Sequence, residues 1–316
     1  MIHQLSTLIK QKGLELGFCQ VGIARAERLT DEASRLEEWL SRGYHASMAW
    51  MKKNIEKRID PREVLPDAKS IISVAMNYYT PYQHSEESDT GKISRYAWGD
   101  DYHDILQTRL EKLLDFIKQK EKIAQGKVYV DTGPVMDKVW AQRAGIGWEG
   151  KHTNVISQEF GSWIFLGEII LNLELEYDSP ATDHCGDCTL CIEACPTDAI
   201  AEPYVVDSNK CISYLTIEHR GEIAKELGEK FDRWLYGCDI CQDVCPWNQK
   251  FATPTMLKEF ELREIAKAPK LETIAEISQE EFSKEFKKSP IKRTKASGLK
   301  RNALLILQTT KRTEKE

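Results

Sequence analysis

Eight of the nine cysteines in this 316-residue chain lie between positions 185 and 245, and their spacing is the first thing from which chemistry can be read. They run Cys185-x2-Cys188-x2-Cys191-x3-Cys195-Pro196, then Cys211, then Cys238-x2-Cys241-x3-Cys245-Pro246. Two-residue spacers in a tight turn let three thiolates reach three irons of a [4Fe–4S] cube, while the fourth cysteine of such a run points to a neighbouring cube. The expected ligand sets are therefore crossed: Cys185, Cys188 and Cys191 with Cys245, and Cys195 with Cys211, Cys238 and Cys241. Pro196 and Pro246 lock φ just after the two crossing cysteines. Two structural zinc sites would also use eight thiolates, but the repeated C-x3-C-P ending and the lack of zinc-finger histidine spacing favour iron. Disulfides fit less well, because no signal peptide is apparent and cysteines this close together suit a metal better than a secreted framework. Cys19, beside Phe18 and Val21, reads as a small buried hydrophobe.

Iron–sulfur clusters carry electrons to something, and no flavin or nicotinamide fingerprint is present to receive them. The glycine-rich run Gly145-x-Gly147-x-x-Gly150-Lys151 is superficially a phosphate loop, but it lacks the full motif and a strand directly before it. Asp131 precedes Gly133-Pro134, where a helix opening with proline in its first turn is expected. On its own Asp131 reads as that helix's cap. Net charge is −6, yet Lys284 to Arg301 hold eight Lys/Arg against one acidic residue. A local basic patch is thus hidden in an acidic chain.

The elements that must position these groups follow from periodicity. Helical apolar spacing covers 3–17 and 31–42, Ser70–Tyr78 reads as a buried strand, Tyr102–Lys120 as a long amphipathic helix, and Lys127–Asp131 as a short strand. A helix from Gly133 to Arg143 and a strand over Ser162–Leu171 complete a first domain, and Asp178–Asp183 is a linker. Beyond Cys245 the chain is helical and charged, punctuated by Pro254, Pro269 and Pro290. The expected class is α+β: a layered α/β domain over 1–177, a ferredoxin-like module over 178–250 and short helices over 251–316. Mean hydropathy of −0.48 and no long apolar run argue against a membrane span, so a soluble cytoplasmic monomer is expected.

Tyr129-Val130-Asp131-Thr132-Gly133-Pro134, Gln142-Arg143-Ala144-Gly145-Ile146-Gly147-Trp148, Gly150-Lys151, the two cysteine runs and Leu235-Tyr236-Gly237-Cys238-Asp239 together resemble the epoxyqueuosine reductases, from about residue 3 to residue 305. That family is related in its catalytic domain to reductive dehalogenases. The resemblance implies reduction of epoxyqueuosine to queuosine at the wobble position of tRNA. The implied cofactors are base-off cobalamin and two [4Fe–4S] clusters, fed by an electron donor the sequence does not identify. It implies Asp131 as proton donor, which requires a carboxyl raised above its usual range by an apolar pocket. Arg58, Ser94, Val155, Leu166, Gly133, Gly147 and Gly150, with Asp131, are the implied cofactor contacts. Ser94 stands where some members have cysteine, and His152 where some have asparagine. The whole stretch Ser94–His103 matches segments that line the cofactor and substrate pocket in the family; His103 within it is a metal-ligand candidate that reads by itself as packed or solvated. Lys292, Arg293, Lys295, Lys300 and Arg301 are the expected tRNA footprint. Some members continue into a helical-repeat domain, here expected to be absent or reduced to the helix around Leu299–Leu307. An electron carrier that only docks a partner would explain the cysteines but not the Asp131 and Gly145–Lys151 motifs. A reductase of small halogenated compounds would not need the basic stretch.

Overall fold

The computed structural model describes residues 2–313. Its centre is a four-stranded, wholly antiparallel sheet of β1 (Gln20–Arg25), β2 (Ser70–Asn77), β3 (Gly126–Tyr129) and β4 (Ile164–Leu171), in the order β1-β2-β4-β3. The two long strands pair along their whole length, Ser70 opposite Leu171 and Asn77 opposite Ile164. Both faces are covered, which explains why β2 reads as a nearly continuous apolar run.

Alternation assigns the two faces. Ile72, Val74, Met76, Ile169 and Leu171 pack under α3 (Tyr102–Lys120), through its Leu106, Leu110, Leu113, Leu114 and Ile117, and under Ile9 of α1 (Ile2–Glu15). Ile71, Ala75, Ile164 and Ile170 meet Trp140 and Ala141 of α4 (Asp137–Arg143), its C-cap Ala144, and Leu36 of α2 (Thr30–Ser41). On this second face the apolar pattern breaks at one cross-strand pair. Ser73 Oγ donates to Glu168 Oε1 over 3.4 Å, and Glu168 is fully buried, so desolvation keeps its carboxyl well above the ordinary range.

The expected division after residues 177 and 250 does not divide the cores. Trp234–Tyr236 pairs in parallel with Lys92–Ile93. Leu235 and Tyr236 then share one apolar cluster with Ile93, Trp98, Leu271, Phe286 and Leu299, Ala303 and Ile306 of α5 (Lys295–Thr313). All three sequence regions thus contribute to a common core. The helix expected from Gly133 begins instead at Asp137, with Met136 as an N-cap that makes no side-chain cap bond. Among the described residues no helix is long and apolar enough to cross a membrane.

Candidate functional site

Asp131 leaves β3 with φ +54°, a left-handed conformation uncommon for a non-glycine residue. With α4 starting six residues later, it caps no helix. Its carboxylate meets the first turn of α3 instead: Tyr102 Oη donates to Oδ2 over 3.1 Å, and His103 Nε2 lies 3.2 Å from the same oxygen. The other imidazole nitrogen, Nδ1, is 2.7 Å from Oδ1 of Asp101, which also caps α3 by accepting from His103 N–H. Tyr102 stacks on Phe165 of β4 at 4.2 Å, with the two rings 4° from parallel.

Electrostatics reverse the expected protonation. Burial pushes the Asp131 carboxyl up, but the hydrogen bonds from His103 and Tyr102 and the charges of His103 and Lys138 outweigh it and hold it below its ordinary value. The side chain is 58% exposed, so the cleft walls crowd it without drying it. For His103 burial acts downward, yet its two carboxylate partners lift it to about 9. The resident proton at neutral pH is therefore on His103, which the sequence places in a pocket-lining stretch but which reads there as packed or solvated rather than as an acid. Asp137 is pushed to about 6 by burial, the negative charge of Asp131 adding to the shift.

These groups open on a cleft of about 2020 Å³, whose lining includes Arg58, Asp131, Gly133, Asp137 and Arg293. A smaller cavity of about 360 Å³ lies beyond it, and Tyr96, Tyr102, Lys138 and Thr153 line both spaces. Val155, Leu166 and Ser94 line the smaller cavity, together with Cys195, Cys211, Cys238 and Cys241. Ser94 Oγ is engaged within the protein, donating over 2.5 Å to Oδ1 of Asp239. Oδ2 of that carboxylate accepts from Arg95 N–H at 2.9 Å and from Arg95 Nη1 at 3.2 Å. Asp239 sits between Cys238 and Cys241, so this bond ties the second cysteine run to the first region.

The remaining cysteines gather elsewhere. Burial raises the Cys191 thiol to about 11, with Cys185, Cys245 and Cys188 adding to the shift by their proximity. Cys185 and Cys245 pack with Trp148, whose Nε1 lies 3.5 Å from Cys185 Sγ. Lys151 Nζ donates to the carbonyls of Gly186 (2.6 Å) and Cys188 (3.0 Å), pinning this loop to the glycine-rich segment. Among the described residues no three such side chains close on one point as ligands of a single ion do. A cube holds its thiolates on separate irons, so its ligands stand further apart. Cys188 is exposed and the loop around it is at the surface.

Other expected contacts fall differently. Gly147 and Gly150 are buried and line neither cavity. A Cβ on Gly147 would stand 2.3 Å from the Ile156 carbonyl oxygen, and one on Gly150 would stand 2.5 Å from Ile156 Cδ1, so internal packing accounts for both glycines. Gly133 does line the cleft, its missing Cβ leaving room for the Tyr129 ring. Arg301 is no surface cation. It donates to the carbonyls of Leu215, His219 and Gly221 between 2.7 and 2.9 Å, and burial brings it down to about 10. Lys292 and Lys295 are exposed, Lys300 is half-buried, and Arg293 pairs with Glu218 at 2.7 and 3.1 Å on the cleft rim.

A family model described as epoxyqueuosine reductase matches residues 58–132, and one described as a 4Fe-4S double cluster binding domain matches residues 184–248. The chain is 51% identical to an epoxyqueuosine reductase of Synechocystis over 91% of its length and 100% of the relative's. It is 48% identical to one of Cellulophaga algicola, over 94% and 96%. In structure it is similar to an epoxyqueuosine reductase solved with an epoxyqueuosine-modified tRNA-Tyr stem loop. That match has a TM-score of 0.92 at 34% identity and covers 98% of this chain and 83% of the other.

Proposed function

The chain belongs to the epoxyqueuosine reductase family, and from that membership we propose that it reduces epoxyqueuosine at the wobble position of tRNA to queuosine. The epoxide takes up two electrons and two protons and becomes an alkene, releasing its oxygen as water. One observation carries the assignment to these residues. The Asp131–His103 pair opens on a cleft that adjoins, across Tyr96, Tyr102, Lys138 and Thr153, a cavity whose wall holds Cys195, Cys211, Cys238 and Cys241. Acid chemistry and electron delivery would thus meet where the two spaces adjoin.

That space suits a bulky cofactor. Base-off cobalamin, when bound, would supply a strongly nucleophilic, low-potential cobalt centre. Arg58 and Gly133 on the cleft, and Val155 and Leu166 on the cavity, are the side chains and backbone we assign to hold it. The eight cysteines would hold two [4Fe–4S] clusters in the crossed sets. The inner set lies against the cavity, and the outer set reaches the surface through Cys188.

The chain's own residues move the proton. As negative charge develops on the epoxide oxygen, the proton resident on His103 passes from Nε2 to Asp131 and from Asp131 to that oxygen. Asp101 holds the imidazole in orientation through Nδ1. Tyr102 fixes Asp131 Oδ2 from the other side while its ring is clamped on Phe165.

The test is anaerobic. Iron–sulfur-reconstituted protein, cobalamin and a chemical reductant are mixed with tRNA carrying epoxyqueuosine, and the nucleosides are weighed by mass spectrometry. Loss of one oxygen that requires cobalamin and tRNA is expected, and its failure with both clusters intact would overturn the assignment. The cobalt(II) resonance separately tests the cofactor, since base-off binding removes the axial-nitrogen splitting.

A further inference from the structure

We propose that Trp50, braced by Arg293, is a stacking platform for an unpaired nucleobase of the anticodon loop beside the modified one. This inference rests on the tRNA substrate proposed above and adds the side chain that receives a neighbouring base. Trp50 is the one tryptophan among the chain's eight that is exposed, at 40%, while Trp98, Trp140, Trp148, Trp163 and Trp234 are each at 2% or less. It stands in a short helical turn, Ala49–Lys52, which brings it to the lining of the same cleft as Asp131. No core requirement explains an indole there.

Its surroundings select the ligand. The Arg293 guanidinium lies over the indole ring, 5.4 Å from its centroid, and Glu218 holds it through Nε and Nη2. Arg58 Nη2 lies 3.4 Å from the Trp50 carbonyl oxygen and steadies the turn. Lys52, Lys53 and Lys292 are exposed around it. An aromatic face set among cations is the arrangement that binds single-stranded RNA, with stacking for the base and charge for the backbone. Such a base must leave the loop's own stack, which lets its neighbour enter the cleft toward Asp131.

The experiment compares the reconstituted wild-type protein with W50A and W50F for binding a fluorescent anticodon stem loop across a salt series, and for binding cobalamin. Expected is an affinity loss of about tenfold or more for W50A, largely restored in W50F, with an unchanged salt slope and unchanged cobalamin affinity. Equal RNA affinity of W50A and wild type would overturn the platform while leaving the substrate assignment standing. Lost cobalamin affinity would overturn it in favour of a cofactor contact. Failure of wild type to bind the stem loop would instead overturn the substrate assignment itself.

Discussion

His103 Nε2 stands 3.2 Å from Asp131 Oδ2, and the two share one proton that sits on the imidazole at neutral pH. The acid we propose for this site is therefore a pair. An apolar environment around Asp131 alone would have raised its carboxyl. Here the adjacent cation lowers it and keeps the proton one atom away.

D131N should lower single-turnover reduction of epoxyqueuosine tRNA by about 100-fold or more, with iron content and RNA affinity unchanged. In the wild type kcat/KM should hold through neutral pH and fall as pH rises through about 9, where His103 loses its proton. In H103Q the fall should move to lower pH, because Asp131 must then keep a proton unaided. An identical profile for H103Q would exclude the relay.

The same pair gives the fold a pH dependence of defined sign. His103 is raised in the folded state, so its contribution to stability is complete below the ordinary histidine value of about 6.5 and is lost as pH rises through about 9. Denaturant midpoints between pH 6 and about 10 should show this loss in the wild type and a flatter profile in H103Q.

The crossed ligand sets predict crossed losses. C245S should remove the outer cluster, whose other three cysteines belong to the first run, and C195S the inner one. Each variant should keep about four irons, and paramagnetic resonance of the reduced proteins should show two different surviving signals. Loss of the same signal in both would refute the crossing.

Asp239 is 1% exposed and neutralises Arg95, whose side chain is 4% exposed. D239A leaves that cation with only the half-exposed Asp243 and should destabilise the protein by about 3 kcal/mol, read as a shifted denaturant midpoint with an unchanged slope. S94A, which removes one bond to the same carboxylate, should cost about 1 kcal/mol.

The exposed lysines of the basic stretch and its inward-turned arginine should separate cleanly. K292A with K295A should reduce the dependence of log K on log salt by about 1.4 for RNA binding and leave stability unchanged. R301A should cost about 2–3 kcal/mol of stability through the carbonyls it abandons. Any RNA effect of R301A should follow the unfolding.

Periodicity made the central sheet and α3 legible, because Ser70–Asn77 and Ile164–Leu171 are long apolar runs and Tyr102–Lys120 repeats its leucines on one helical face. The cysteine groups were legible because ligand spacing is a local property. Asp131 was legible through its motif and His103 as part of a pocket-lining stretch, but their pairing was not. His103 comes from the start of another element, 28 residues earlier in the chain, and only the tertiary fold joins them. Arg301 failed for a related reason. A run of cations gives no sign of which member will turn inward to cap carbonyls of a distant loop. Gly147 and Gly150 looked like room for a ligand, whereas Ile156 had already filled that room.

Of the eight clustered cysteines Cys188 alone is exposed; Cys191 and Cys245 of its proposed set are buried, and Cys195, Cys211, Cys238 and Cys241 are half-buried in a cavity wall. Oxidants arriving from outside meet Cys188 first. With the proposed clusters bound, damage in air would therefore have an order that begins at this ligand. A preparation that has aged would keep half its iron and an intact substrate cleft, and still be unable to accept a single electron.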